Sequence, residues 1–146
     1  MGTVYNHVLR FKKKYPFTIG WRLAKNSEVV EKHLNPGEKV LYGFIAQKND
    51  NPINILTSSV VVLTNKRLLL GRKRVVFGYF LDAITPDMFD DMKVSSGVIW
   101  GKVYIESVKE LVVLSNISKN ALREIETAIS SYMMEEKKKY VSKPRD

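Results

Sequence analysis

The residues best suited to chemistry in this chain are cations. Lys48, the consecutive Arg72, Lys73 and Arg74, and the run Lys12-Lys13-Lys14 form clusters. Clustered ammonium and guanidinium groups attract an anionic membrane surface at about 1 kcal/mol each. A structural account competes at each place. A tight exposed turn at 71–74 accommodates charge easily, and three lysines closing a helix complement its dipole. Groups for covalent or acid–base chemistry are sparse. His7 and His33 are the only histidines, and no nucleophile is marked as a partner for either. Each reads as a surface or half-buried helix residue. Asp87, Asp90 and Asp91 lack the ligand spacing and glycine of a calcium-binding EF-hand loop, so they read as turn residues. No G-x-x-x-x-G-K-[ST], G-x-G-x-x-G or G-x-S-x-G pattern occurs. No catalytic, cofactor-binding or metal-ligating residues are therefore expected, nor a cofactor or small-molecule substrate. The predicted anionic-ligand or partner-binding set is Lys48, Arg72, Lys73, Arg74, Lys12, Lys13 and Lys14.

Charge and aromatics together raise nucleic acid as a ligand. Tyr15, Phe17 and Trp21 lie beside Lys12–Lys14, and bases stack on such side chains. Phe17 and Trp21 are also four residues apart, the spacing of side chains that dock a helix on a core. With no nucleic-acid-binding motif present, only nonspecific binding is expected.

The positive charge is unevenly placed. Of the formal +9 of the 146-residue chain, residues 1–35 carry +5, with +2 on 36–117 and +2 on 118–146. Long-range attraction to an anionic partner would act mostly through the N-terminal segment. A 45% hydrophobic content and this length suit one folded core. The absence of cysteine removes disulfides and thiolate metal sites. No apolar run is long enough to span a bilayer, and the first ten residues lack the apolar core of a signal peptide. The expectation is a cytoplasmic protein, peripheral to a membrane at most.

The elements that must position these groups fall in two styles. Val4, Val8 and Phe11 predict a helix over 1–14, interrupted by Tyr15-Pro16. Ile19, Leu23, Val30 and Leu34 predict a second helix over 18–34, stopped by Asn35-Pro36-Gly37. From Glu38 the pattern becomes strand-like. The first strand precedes a loop at Asn49–Pro52 and an apolar insert, Ile53–Leu56. Val60–Leu63 and Leu68–Leu70 flank Thr64-Asn65-Lys66-Arg67 as a tight hairpin. Gly71–Arg74 is the next turn and Val75–Leu81 the fourth strand. Thr85-Pro86-Asp87 opens an acidic loop. Val94–Ile99 and Lys102–Ile105 pair around Trp100-Gly101, and Leu111–Leu114 is the seventh strand. Ser118 is the expected N-cap of a helix with Leu122, Ile125, Ile129, Tyr132 and Met133 on one face.

The hairpin with its Leu-Thr-Asn-Lys-Arg turn resembles the second and third strands of the bacterial pleckstrin-homology (PH-like) domains. The likeness runs over about residues 38–136 and takes in Gly37–Leu41, Tyr79–Ile84 and the helix after Ser118. It implies a mainly β fold with flanking helices: a seven-stranded antiparallel PH-like barrel or sandwich, capped by a C-terminal helix and preceded by an N-terminal helical extension. The expected division is 1–36 as a helical extension packing on the barrel, 37–136 as the PH-like domain and 137–146 as a flexible basic tail.

The same likeness implies a non-enzymatic binding or assembly module, mediating protein–protein contacts or self-association. The alternative is a peripheral module that binds anionic membrane through its basic loop residues. Phosphoinositide-binding PH domains follow the first-loop lysine with spaced basic residues on the next strand. Here Lys48 is followed by Asn49–Pro52 and an apolar stretch, with no further cation until Lys66. Specific phosphoinositide recognition is therefore not expected.

Overall fold

The structure, a computed structural model, describes residues 2–48 and 58–142, with side chains to residue 140. The predicted loop at Asn49–Pro52 and the apolar insert Ile53–Leu56 lie outside the described residues, as does the end of the predicted tail, 143–146. Two helices, α1 (Thr3–Lys14) and α2 (Leu23–Lys32), precede seven strands: β1 (Val40–Gln47), β2 (Ser58–Thr64), β3 (Leu68–Lys73), β4 (Tyr79–Ile84), β5 (Phe89–Ser96), β6 (Trp100–Ser107) and β7 (Leu111–Ser118). A 3-10 turn at Lys119–Ala121 leads into α3 (Leu122–Ser142).

The strands form one antiparallel sheet in the order β4-β3-β2-β1-β7-β6-β5, curled into a half-barrel. Its two lobes meet at one described pair, Gln47 with Ser115. Residues on β2 are buried throughout, which explains the unbroken Val60-Val61-Val62-Leu63 run: a strand covered on both faces has no polar face to alternate. One cover is the N-terminal helices. Gly71 on β3 permits the approach of α2, because a Cβ there would lie 2.6 Å from Val30 Cγ2. Val4, Val8 and Phe11 of α1 and Val30 of α2 belong to the same buried cluster as Phe44, Val61, Leu70 and Leu114. Ile125, Ile129 and Met133 of α3 belong to that cluster as well.

The Leu-Thr-Asn-Lys-Arg turn is a structural clamp. Arg67 donates from Nε to Glu38 Oε2 at 3.0 Å and from Nη2 to Glu38 Oε1 at 3.1 Å and to the His33 carbonyl at 2.8 Å. Thr64 Oγ1 donates to Glu38 Oε2 at 2.5 Å, and Asn65 Oδ1 accepts from the Lys39 amide at 2.8 Å. Burial alone would raise the Glu38 carboxyl. Its bonds from Arg67, the Asn35 amide and Thr64 outweigh that and hold it below its ordinary value. The clamp ties the end of α2 to the β2–β3 turn.

Several boundaries differ from the sequence expectation, each for a local reason. The second helix starts at Leu23, not Thr18, because Arg22 takes a left-handed conformation (φ 57°). Residues 18–20 instead line β7: the Ile19 amide donates to the Asn116 carbonyl at 2.9 Å, and the Ser118 amide to Thr18 Oγ1 at 2.9 Å. Phe17 and Trp21 therefore lie on no helix and remain exposed, which corrects their reading as helix-docking residues. Asp90 and Asp91 sit on β5 and not in a loop. The β5–β6 turn closes at Gly97–Ile99, where the Gly97 amide donates to the Trp100 carbonyl at 2.9 Å. β7 continues through Ser118, which makes no side-chain cap bond to the following turn. α3 extends to Ser142, well into the segment expected to be a tail.

Candidate functional site

Two hairpin tips expose adjacent apolar residues, Val98–Trp100 between β5 and β6 and Val75–Phe77 between β3 and β4, and only the β3–β4 tip follows directly on a run of cations, Arg72–Arg74. The β3–β4 hairpin is anchored from α2: Asn26 donates from Nδ2 to the Ser58 carbonyl at 3.1 Å, and its Oδ1 accepts from the Lys73 amide at 2.8 Å. Pairing runs to Lys73 with Tyr79. Beyond it the Arg74 amide donates to the Gly78 carbonyl at 3.0 Å, with Gly78 at φ 75°, a conformation that favours glycine. That closure leaves Val75, Val76 and Phe77 as a loop tip, 55, 75 and 82% exposed. The expected fourth strand, Val75–Leu81, is thereby corrected: the first three residues have no sheet partner, and the strand starts at Tyr79. Three adjacent exposed apolar side chains on a hairpin tip are a feature that calls for a partner phase or surface.

Strand alternation divides the three cations behind this tip. Arg72 and Arg74 share one face, with guanidinium carbons 4.2 and 5.1 Å from the centre of the Phe80 ring. Burial, with Arg74 nearby, lowers Arg72 somewhat from its ordinary value, which leaves it fully charged at neutral pH. Arg72 and Lys48 line one cleft of about 210 Å3 with Phe80 and Asp82. Lys48 is paired there with Asp82 and lies 3.8 Å from Glu110, so its charge is offset. Lys73 points to the opposite face, into a cleft of about 250 Å3 between α2 and the hairpin, with Lys25, Lys32, His33 and Tyr79.

The Lys12–Lys14 run is engaged elsewhere. Lys12 Nζ donates to the carbonyls of Pro16 and Thr18 at 2.9 and 2.5 Å. Lys14 Nζ meets Glu124 Oε1 at 2.6 Å, while Lys13 is exposed. Glu124 is a junction, because Tyr15 and Tyr42 donate to it at 3.0 and 2.8 Å. Those bonds join α1, β1 and α3. Of the predicted set, the structure thus brings Arg72 and Arg74 together on one ring and Lys48 into the neighbouring cleft. Lys73 lies on the other face, and Lys12 and Lys14 serve contacts at the end of α1.

The sequence reading missed the tip residues Val75–Phe77, and also Lys25, Lys32, His33 and Tyr79. Gly78, four residues after Arg74, was the available signal for the tip. Among the described residues, no group of three His, Asp or Glu side chains is placed to hold a metal ion. No helix among them is long and apolar enough to cross a membrane.

A half-barrel of seven antiparallel strands closed by a C-terminal helix is the architecture of the pleckstrin-homology-like domains. The profile of the bacterial PH domain family matches residues 34–131, and the chain belongs to that family. Among solved structures it is similar to a DUF1696 family protein with a pleckstrin-homology domain from Shewanella loihica PV-4, at 15% identity and a TM-score of 0.50, covering 72% of this chain and 87% of that one. A pleckstrin homology domain from Shewanella amazonensis SB2B matches at 15% identity and a TM-score of 0.49, covering 72% and 82%. Such identities speak for the fold alone. No curated protein matches the chain.

Proposed function

We propose that this chain is a binding module that docks on anionic membrane surfaces through the β3–β4 hairpin. The single observation that carries the reading is the exposed Val75-Val76-Phe77 tip rising from a base of Arg72, Lys73 and Arg74. Moving a Val or Phe side chain from water into hydrocarbon contributes about 1.5–3 kcal/mol. Each basic residue near an anionic surface adds about 1 kcal/mol. The apolar part outweighs the ionic part, so binding should survive moderate salt, which screens only the charges. The +9 charge of the chain suits approach to such a surface.

The test is co-sedimentation with anionic and with neutral vesicles at low and at moderate salt. Anionic-selective binding that persists in salt, and that Val76→Asp with Phe77→Asp removes without lowering the melting temperature, supports the reading. Binding that disappears in salt reduces it to nonspecific attraction by net charge.

A second reading is favoured by a separate feature. β4 is the last strand on its side of the sheet, and an edge strand can accept a strand from a protein partner or from a second copy. Light scattering tests the self-association form of this reading: a defined oligomer that survives moderate salt supports it, and a monomer at high concentration counts against it.

A further inference from the structure

We infer that the cleft between α2 and the β3–β4 hairpin is a site for a phosphate monoester. The inference rests on the hairpin-docking reading only for its membrane form, because the same chemistry is offered by a soluble phosphate ester. Three lysines line this cleft from two elements, Lys25 and Lys32 from α2 and Lys73 from β3. Lys25 and Lys32 are seven residues apart, two helical turns, and so share one face of α2. Lys32 pairs with Glu28 at 2.7 Å. Neither Lys25 nor Lys73 has an ion pair with a described residue.

Three ammonium groups less the one carboxylate leave a net +2 with His33 neutral. That balance suits a monoester, which carries close to two negative charges at neutral pH, better than a diester, which carries one. The wall of the cleft is fixed. His33 Nδ1 donates to the Val29 carbonyl at 2.6 Å, so in the neutral ring Nε2 accepts from the Tyr79 hydroxyl at 3.0 Å. The two rings lie 4.8 Å apart. At about 250 Å3 the space falls below the usual range for drug-sized ligands, about 300–1,000 Å3, and fits a small head group. Asn26, by holding the Lys73 amide at 2.8 Å, keeps the two walls in register. Lys25, Glu28, Lys32 and His33 all precede residue 34, where the family match begins, so the cleft belongs to this chain's own extension as much as to the shared fold.

The experiment compares vesicles containing phosphatidic acid, a monoester, with vesicles containing phosphatidylglycerol, a diester, at matched anionic lipid content. In parallel, soluble glycerol 3-phosphate is titrated and followed by amide shifts in NMR. The expected result is tighter binding to phosphatidic acid. A Lys25→Ala, Lys32→Ala variant should lose the preference, its binding to phosphatidic acid falling to the level of its binding to phosphatidylglycerol, while the generic attraction of the two lysines to an anionic surface is lost equally on both. Shifts at His33 and Lys73 on adding glycerol 3-phosphate, without a phosphatidic acid preference, would support the ligand class with a soluble source. Equal binding to both vesicles, lowered alike on both by the variant, and no shifts with glycerol 3-phosphate would overturn the inference while leaving hairpin docking intact. Failure to bind any vesicle would remove hairpin docking, and the glycerol 3-phosphate titration would then decide the cleft alone.

Discussion

Arg72 lies directly across from Phe80 in the β3–β4 ladder, with its guanidinium carbon 4.2 Å from the ring centre. The pair holds one of the hairpin's cations against its own strand, with Arg74 at 5.1 Å on the same ring. Such contacts are worth about 0.5–1 kcal/mol at exposed sites. Phe80→Leu should therefore lower the urea midpoint modestly. Arg72→Gln placed in that background should add less than Arg72→Gln alone, since the contact is already gone. Full additivity in the double-mutant cycle would mean that the ring does not hold the charge.

The Glu38–Arg67 clamp should contribute to acid sensitivity. The Glu38 side chain has no exposed surface and Arg67 is 19% exposed, so Arg67→Ala leaves a carboxylate buried without its partner, at a loss of about 3 kcal/mol. The Glu38 pKa is depressed below its ordinary 4.5. Its contribution is thus present above pH 4.5 and fades as pH falls through the lower folded value. Stability of the native protein measured from pH 6 to pH 3 should drop below about 4.5, and the gap between native and Arg67→Ala should narrow over that window. A gap that stays constant to pH 3 would assign the loss to packing.

Tyr42 and Lys14 both meet Glu124, but in different surroundings. Burial and the bond to Glu124 push the Tyr42 phenol far above its ordinary value, so it remains a donor at any pH the fold survives. Tyr42→Phe should destabilise by about 1.5–3 kcal/mol, the range for a hydrogen bond to a charged group. Lys14→Ala should have a much smaller effect, because water screens that pair. Urea denaturation of the two variants decides the order, and a larger loss for Lys14→Ala would reverse it.

Much of the fold was legible because the physics was local. Val60–Leu63 reads as a strand and Thr64–Arg67 as its turn, since Thr64 Oγ1 accepts from the Lys66 and Arg67 amides within the turn itself. Thr85-Pro86-Asp87 marks the stop after β4, which runs to Ile84 and so three residues past the expected Leu81, but the start of β4 was not legible. Val75-Val76-Phe77 has strand-like composition, and composition does not report whether a neighbouring strand exists to pair with it. The charges at Arg72–Arg74 were visible as a run, but their division between two faces required the start of pairing to be known. Lys25, Lys32 and His33 come together with Lys73 only through the docking of α2 on β3, a contact between distant segments. Phe17 and Trp21 have helical spacing in the sequence, but the chain is helical only after the left-handed Arg22, so neither lies on a helix.

The central claim is that the Val75–Phe77 tip enters the bilayer. The chain has no cysteine, so Phe77→Cys offers a single site for an environment-sensitive fluorophore, with Thr127→Cys on the exposed face of α3 as a reference. On adding anionic vesicles at moderate salt, the account predicts a blue shift and brightening at position 77, little change at 127, and a weaker response at 77 with neutral vesicles, which lack the ionic contribution. Co-sedimentation of the labelled protein with no spectral change at 77 would place another face on the membrane and contradict the account.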